Sequence, residues 1–304
     1  DALAGLGVQY ALALAGTLVV AVAIGWAVAG RALSPIARIT RAARRVSERR
    51  LDERIGLGGP ADELRELADT YDAMLDRLSE SFEAQRRFVA NASHELRSPL
   101  TVMRSEAEVA LANPETDPAE LREMARAVVE ATDRTEALLD GLMVLARSQR
   151  GLLRREPLDL AAVARAAAAG SMRDAGRAAV RLDVDLGAAP AAGDRRLLER
   201  LVANLVENGV RYNRRGGWVE LATARRNGVA VVRVSNSGPR VDGPAARRLA
   251  EPFQRLDDRC GDEPGAGLGL SIVRSVSEAH GGTLAIEPRA EGGLDVEVSL
   301  PSRS

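Results

Sequence analysis

His94 and Glu95 stand side by side in the run Phe88-Val-Ala-Asn-Ala-Ser-His-Glu-Leu-Arg-Ser-Pro99, and Ser98 follows four residues after the histidine. In a helix, at about 100° per residue, Val89, Ala92 and Leu96 gather on one face and His94 falls about 160 to 200° from Ala92 and Leu96. The imidazole should therefore face water, with Ser98 on its side and Glu95 near enough to hold the ring. An ordinary imidazole is mostly neutral at cellular pH and keeps a nucleophilic nitrogen, which a carboxylate accepting the other ring proton would sharpen. Taken alone, the pair reads first as a solvated surface histidine beside a glutamate, and only the rest of the chain can overturn that.

A second set is Asn204, Asn208 and Arg211, one stripe of a helix whose other side carries Leu201, Val202 and Leu205. Neutral amide oxygens suit Mg²⁺ shared with substrate phosphates, and an arginine neutralises phosphate charge. A polar stripe is also what any amphipathic helix shows. A third set, Gly265-Ala-Gly267-Leu268-Gly269-Leu-Ser271, opens a helix where bare backbone amides could receive a phosphate. A dinucleotide fingerprint needs a strand directly before its glycines; here the charged stretch Pro239 to Pro264 precedes them and reads as a lid. All 42 basic residues are arginine, so a Walker-type loop and the lysine-dependent core of ordinary protein kinases are excluded.

These sets need a scaffold, and 304 residues with 46% hydrophobic content suit two or more folded units. Cys260, His94 and His280 are too few for a Cys/His zinc site, and one cysteine leaves no disulfide within the chain. A net charge of -1 and 3% aromatic residues argue against nucleic-acid binding. No charged side chain occurs from Ala2 to Gly30, and about 20 apolar residues cross a bilayer, so this segment predicts a membrane helix with Trp26 as an interfacial anchor. A buried core helix or a secretory signal are the rival readings, although a signal carries its positive charge before the apolar run. Here eight arginines between Arg31 and Arg54 follow it, against Glu48, Asp52 and Glu53, which places that side in the cytoplasm. The chain opens on Asp1 rather than methionine, which suggests a fragment of a longer protein.

Further on, Ile36, Ile39, Ala43 and Val46, then a Gly58-Gly59-Pro60 break, then Leu64, Leu67, Tyr71, Met74 and Leu78 step by three and four. This spacing predicts two short helices with an extended connector, completed by a bundle across two chains or by an ordinary hairpin within one. A helix from Phe82 to about Leu111, a turn at Asn113 to Pro118, and a returning heptad (Leu121, Met124, Val128, Ala131, Thr135, Leu138, Leu142, Leu145) predict an antiparallel hairpin, two copies of which make a four-helix bundle. Beyond Gly151, strands at Val180 to Leu186, Trp218 to Ala224, Val229 to Ser235 and Leu294 to Leu300 alternate with helices at Arg195 to Tyr212 and Leu268 to His280, and Ala161 to Ala169 suits a helix. The pattern predicts an α+β domain with helices on one face of a largely antiparallel sheet. His280-Gly281-Gly282 reads as a structural helix terminus, since glycine permits a left-handed cap.

In this order, His94-Glu-Leu-Arg-Ser-Pro, Asn204-x-x-x-Asn208, Asn236-Ser-Gly238-Pro, Glu251-Pro-Phe253-x-Arg255 and Gly265-x-Gly267-x-Gly269-Leu resemble the five motif boxes of bacterial sensor histidine kinases, and the preceding helices resemble their HAMP signal linker. The resemblance runs from about Arg31 to the end of the chain. It implies a multidomain protein: a transmembrane helix (1–30), a HAMP-like signalling linker (31–83), an all-α dimerisation and histidine phosphotransfer hairpin (84–150) and a GHKL-type α+β ATP-binding sandwich (151–304). By this resemblance His94 is the phosphoacceptor, Glu95 its activating carboxylate, and Ser98 helps position water for dephosphorylating the partner. Asn204 and Asn208 would hold Mg²⁺ and phosphate; Arg211 and the neighbouring Tyr212 would contact the nucleotide, as would Asn236 and Gly238. Phe253 and Arg255 would belong to the lid, and Gly265, Gly267, Leu268 and Gly269 to the phosphate loop. ATP and Mg²⁺ are the implied cofactors. The implied setting is a homodimer in the bacterial plasma membrane, with its kinase region in the cytoplasm, passing phosphate to an aspartate of a response regulator.

One box departs from the family pattern. Asn236 stands where the family usually has the adenine-reading aspartate, and Arg240 where it has a second glycine. An asparagine can still read adenine, but without a charge-assisted bond, and Pro239-Arg240 stiffens the lid hinge, so weakened nucleotide binding is expected. Two alternatives follow: a kinase-impaired nucleotide-sensing scaffold or regulator phosphatase, and an ATP-hydrolysing machine on the same fold, for which a histidine acceptor would have no use.

Overall fold

The computed structural model describes residues 2–45, 54–58, 63–112, 116–149, 155–255 and 266–302, and the chain divides into two compact units, Asp1–Val89 and Ala90–Ser304. In the first, helix α1 (Ala2–Arg45) carries the uncharged N-terminal stretch straight on into the expected first linker helix. Gly30 and Pro35 lie at the junction without ending the helix, so the two are one. The membrane helix expected over residues 1–30 is thus part of a longer helix. Among the described residues no helix is long and apolar enough to cross a membrane. Leu14, Leu18, Val22 and Trp26 of α1 are exposed, Trp26 at 85%.

Helix α2 (Glu63–Ala112) likewise joins two expected helices into one, because Ser79-Glu80-Ser81 contains nothing that stops a helix. In the first unit, residues 54–58 form the connector. The backbone amides of Ile55 and Gly56 donate to the Asp72 carboxylate at 2.9 and 3.1 Å, and Arg54 pairs with Asp76. Ile55, Ala68 and Leu75 are buried around this seam. The connector is held by paired polar backbone and a small apolar lock rather than by a wide core.

The second unit starts with the rest of α2 and with α3 (Pro118–Gln149). Thr132 Oγ1 donates to Met103 Sδ at 3.3 Å between them. Next come β1 (Glu156–Asp159), α4 (Leu160–Arg177), β2 (Arg181–Leu186), β3 (Pro190–Gly193), α5 (Arg195–Arg211), β4 (Trp218–Arg226), β5 (Val229–Asn236), α6 (Gly243–Arg248), α7 (Gly269–Ala279), β6 (Thr283–Pro288) and β7 (Leu294–Pro301). The main sheet has the order β2-β4-β5-β7-β6, antiparallel except for the β2–β4 pair, while β1 and β3 form a small ribbon. Asn227 and Gly228 join β4 to β5 with φ of 48° and 79°, the two-residue turn whose twist suits a hairpin.

Helices α4, α5 and α7 pack together on the sheet. Leu198, Leu201, Leu205, Leu221, Ile272 and Leu300 are essentially inaccessible between the layers, each contributing about 1.5–3 kcal/mol by leaving water. Asp159 caps α4 through the amide of Ala161 and also holds that of Ala189; Asp194 caps α5 through the amides of Arg196 and Leu197. Side-chain caps of this kind fix where each helix begins, and so fix which residues of α5 face the site.

Candidate functional site

His94 lies on the exposed side of α2, with Ala92 and Leu96 half-buried as expected, while Val89, expected on their face, is exposed. Glu95 is half-buried and Ser98 exposed. A shallow groove over the histidine is lined by His94, Arg97, Ser98 and Thr101. Pro99 sits inside the helix, and a proline there has no N–H to give the carbonyl four residues earlier, that of Glu95. The helix is locally weakened one turn from the imidazole.

Opposite this hairpin, α5 presents its polar stripe. Asn204 is buried; its Nδ2 donates to the Arg200 carbonyl at 2.8 Å, which leaves Oδ1 as its acceptor. Asn208 lies against the glycine loop: a Cβ on Gly269 would come within 2.7 Å of its amide. Gly267 has φ of 67°, and a Cβ there would meet the Phe253 backbone at 2.9 Å. The Phe253 amide in turn donates to the Gly267 carbonyl at 2.9 Å, with Phe253 itself at φ of 64°. Only glycine tolerates that approach at position 267. The asparagine stripe of α5 and the glycine loop, more than 50 residues apart in sequence, thus meet where Gly269 has no side chain.

The loop and α7 also rest on the hairpin. At Gly141 of α3 a Cβ would stand 3.3 Å from the side chains of Leu268 and Ile272, and the hydroxyls of Ser148 and Ser275 are 2.6 Å apart. Between hairpin and sheet domain this docking leaves a cleft of about 640 Å³. Glu95 and Ser98 line one wall; Asn204, Asn208, Arg211 and Tyr212 line the other; Arg255, Gly267, Leu268 and Gly269 close it. Its volume lies within the roughly 300–1,000 Å³ of small-molecule sites. Helix α7 begins at Gly269, so its first amides are available there for an anion.

Other residues expected at the site lie elsewhere. His94 opens onto the adjoining groove, which shares Ser98 with the cleft. Asn236, Gly238 and Phe253 do not line the cleft. Asn236 is buried at the end of β5, its Nδ2 donating to the Ser237 carbonyl at 2.8 Å, and Gly238 packs beneath Tyr212, whose carbonyl would be 3.0 Å from a Cβ. Gly265, Cys260 and the residues at 256–265 of the expected lid lie outside the described residues. Conversely, Glu130, Asp133 and Arg134 of α3 and Arg200 and Glu207 of α5 line the cleft without having been singled out. Their signal was faint: Glu130 and Arg134 are one turn apart on α3, beside the small residues Ala127 and Ala131.

His280 is 3% exposed at the end of α7. Its Nδ1 lies 2.7 Å from the Val276 carbonyl and its Nε2 accepts the Asp194 amide at 3.0 Å, an arrangement that needs the neutral ring. Burial lowers its pKa below the ordinary 6.5, opposed by the Val276 carbonyl and helped by Arg155. Gly281, at φ of 73°, ends the helix as the sequence suggested. This histidine ties the end of α7 to the cap of α5 and lies away from the cleft.

The donor set fits a nucleoside triphosphate: amide oxygens from Asn204 and Asn208 for a hard cation, guanidinium groups from α3, α5 and residue 255 for phosphate charge, and a glycine cradle that a Cβ would fill. Among the described residues no group of three or more His, Cys, Asp or Glu could hold a metal, so Mg²⁺ here would be shared between the asparagines and the phosphates.

Comparison with known proteins gives three family matches: a HAMP domain over residues 27–80, a His Kinase A (phospho-acceptor) domain over 84–151, and a Histidine kinase-, DNA gyrase B-, and HSP90-like ATPase over 193–304. The sensor protein CutS of Streptomyces coelicolor is 50% identical over 95% of this chain and 70% of its own length. The signal transduction histidine-protein kinase/phosphatase MprB of Mycolicibacterium smegmatis is 36% identical over 95% of this chain and 60% of its own. Among solved structures, the Acinetobacter baumannii histidine kinase AdeS superposes with a TM-score of 0.56 over 69% of this chain and 98% of that one, at 20% identity, a likeness of fold.

Proposed function

Because the chain belongs to the HAMP-containing sensor histidine kinases, enzymes that phosphorylate one of their own histidines from ATP and signal through a response regulator, we propose that His94 is the phosphoacceptor and that the cleft beside it holds the nucleotide. One observation carries this reading: Glu95 and Ser98, the neighbours of His94, share a cleft with the Asn208–Gly269 contact. Phosphoryl transfer asks a protein mostly for positioning and charge stabilisation. Asn204 and Asn208 would hold Mg²⁺ together with the phosphates, Arg211 and Arg255 would neutralise phosphate charge, and Gly267, Leu268 and Gly269 would let backbone amides approach. Tyr212 would line the nucleotide's edge. Glu95 would take the second ring proton and keep His94 nucleophilic, and the weakened turn at Pro99 would let the ring adjust. ATP bound there supplies the phosphoryl group.

Ser98, exposed beside the histidine, would position water to dephosphorylate an aspartate of a cytoplasmic response regulator, giving the enzyme a phosphatase activity as well. A homodimer through the hairpin is supported by Leu100, Val109 and Val129, which are 49–58% exposed on α2 and α3 in the single chain. Anchoring in a bacterial plasma membrane is supported by the exposed apolar surface of α1 and the arginines that follow it. The expected domain limits and the base-reading role of Asn236, Gly238, Phe253 and Gly265 belong to this proposal too. With one Nδ2 proton held by the Ser237 carbonyl and no carboxylate charge, Asn236 would offer adenine only neutral hydrogen-bond partners, which supports a weakened affinity for ATP.

Incubation of the chain with γ-labelled ATP tests the reading. Acid-labile, base-stable label should appear on wild type and be absent from His94→Ala and Asn208→Ala. Label that persists on His94→Ala would move the acceptor elsewhere, and steady phosphate release untouched by His94→Ala would favour an ATP-hydrolysing machine.

A further inference from the structure

The proposed homodimer would hold two histidines and two clefts, and each cleft must serve either its own chain or the partner. Packing within one chain bears on that choice. Thr132 of α3 donates to Met103 of α2 at 3.3 Å, which sets the two antiparallel helices level at that pair. Nine residues back along α2 lies His94, and nine residues on along α3 lies Gly141. Both helices rise equally per residue, so the histidine and this glycine stand at one height of the hairpin.

At that height the sheet domain of the same chain is seated. A Cβ on Gly141 would stand 3.3 Å from the side chains of Leu268 and Ile272, at the start of α7. The contact continues for two turns of α3, about 10 Å, to Ser148, whose hydroxyl lies 2.6 Å from that of Ser275. On the companion helix, Glu95, Ser98 and Val102 line the cleft. His94 is about 40° round that helix from Ser98, and its groove shares Ser98 and Val102 with the cleft. The imidazole of a chain thus stands at the rim of the cleft of that chain.

The other side of α3 is left for a second hairpin. Leu139 and Met143, also at the height of His94, are exposed and lie about 160° from Gly141, one on either side. A partner packed on these two side chains would sit across α3 from the docked domain. The second histidine of the dimer would then lie beyond α3, away from the cleft.

We infer that phosphoryl transfer runs within one chain, from the nucleotide held by a sheet domain to His94 of the same polypeptide. The inference rests on the acceptor and the nucleotide site proposed above, and adds which of the two histidines each site serves. A ring nitrogen of His94 forms a bond to the γ-phosphorus as the bond from that phosphorus to the β,γ-bridging oxygen breaks. ADP leaves with the electron pair, and the proton on the other ring nitrogen passes to Glu95 of the same chain. For this step the ring has only to move across Ser98, in the turn that Pro99 weakens.

Mixed dimers of the full chain, each subunit with its own affinity tag, test this with γ-labelled ATP. In the first, His94→Ala is paired with Asn208→Ala, so that one subunit lacks the acceptor and the other lacks the nucleotide contact. Neither subunit should carry acid-labile label. In the second, wild type is paired with a chain carrying both His94→Ala and Asn208→Ala, and the wild-type subunit should be labelled. Label on the Asn208→Ala subunit of the first dimer, or none in the second, would overturn transfer within the chain and leave the acceptor and the nucleotide site standing. A wild-type homodimer that takes no label would overturn those as well.

Discussion

The hairpin that carries His94 and the sheet domain that faces it are built on opposite terms. In the sheet domain, α5 contributes Leu198, Leu201, Val202, Leu205 and Val206 to a closed core, and Asn204 and Asn208 are held in place by that burial and by the Asp194 cap. On the hairpin, Leu100, Val129, Leu139 and Met143 stay about half exposed, the helix next to His94 carries Pro99 inside it, and α3 docks through a glycine and one serine pair. A rigid half would hold the nucleotide, and a looser half would present the acceptor. Such an arrangement suits an enzyme whose domains must part and meet, with helix movement biasing alternative arrangements.

The comparison breaks first at its tightest contact. Asn208→Ala should lower affinity for a non-hydrolysable ATP analogue about a hundredfold, read by titration, with the unfolding midpoint unchanged; retention of affinity would remove α5 from the nucleotide site. Next comes the core beneath it. Leu201→Ala should destabilise the sheet domain by about 2–5 kcal/mol in denaturant titrations. Val129→Glu, on the hairpin, should instead dissociate the dimer in sedimentation experiments and leave nucleotide affinity intact. A comparable fall in nucleotide affinity from both changes would mean the two regions are one.

A smaller effect follows from His280. Its folded-state pKa lies below 6.5, so the folded protein binds fewer protons than the unfolded chain. Stability from this group is whole above 6.5 and declines as the pH falls below it, by at most about 1.4 kcal/mol per pH unit. His280→Ala should lose about 1–3 kcal/mol at neutral pH, since the Asp194 amide is left without its acceptor. It should also flatten the decline just below 6.5. An unchanged slope there would assign the acid sensitivity to other groups.

Much of this architecture was legible because the signals were local. Alternation found β4 and β7 and a short apolar run bounded by a turn found β5; hydrophobic spacing found α5 and α7 to within a residue or two; helical geometry put His94 on the exposed side of α2. The short strands β1 and β3 were not legible, because Glu-Pro-Leu-Asp and Pro-Ala-Ala-Gly carry turn residues and no alternation, and tertiary pairing alone makes them strands. The fusion of neighbouring helices in α1 and α2 was missed because a change in amphipathic face was read as a break. At the site, residue types announced Asn204, Asn208 and the glycines. Arg134 and Glu130 were hidden, since the heptad on α3 accounts for the helix without them, and only docking brings that face to the cleft.

The separation of holder and acceptor is tested most directly by one variant measured twice. His94→Ala should bind a non-hydrolysable ATP analogue within about twofold of wild type and carry no acid-labile phosphate after incubation with γ-labelled ATP. Loss of analogue binding in that variant, or acid-labile label remaining on it, would contradict the account.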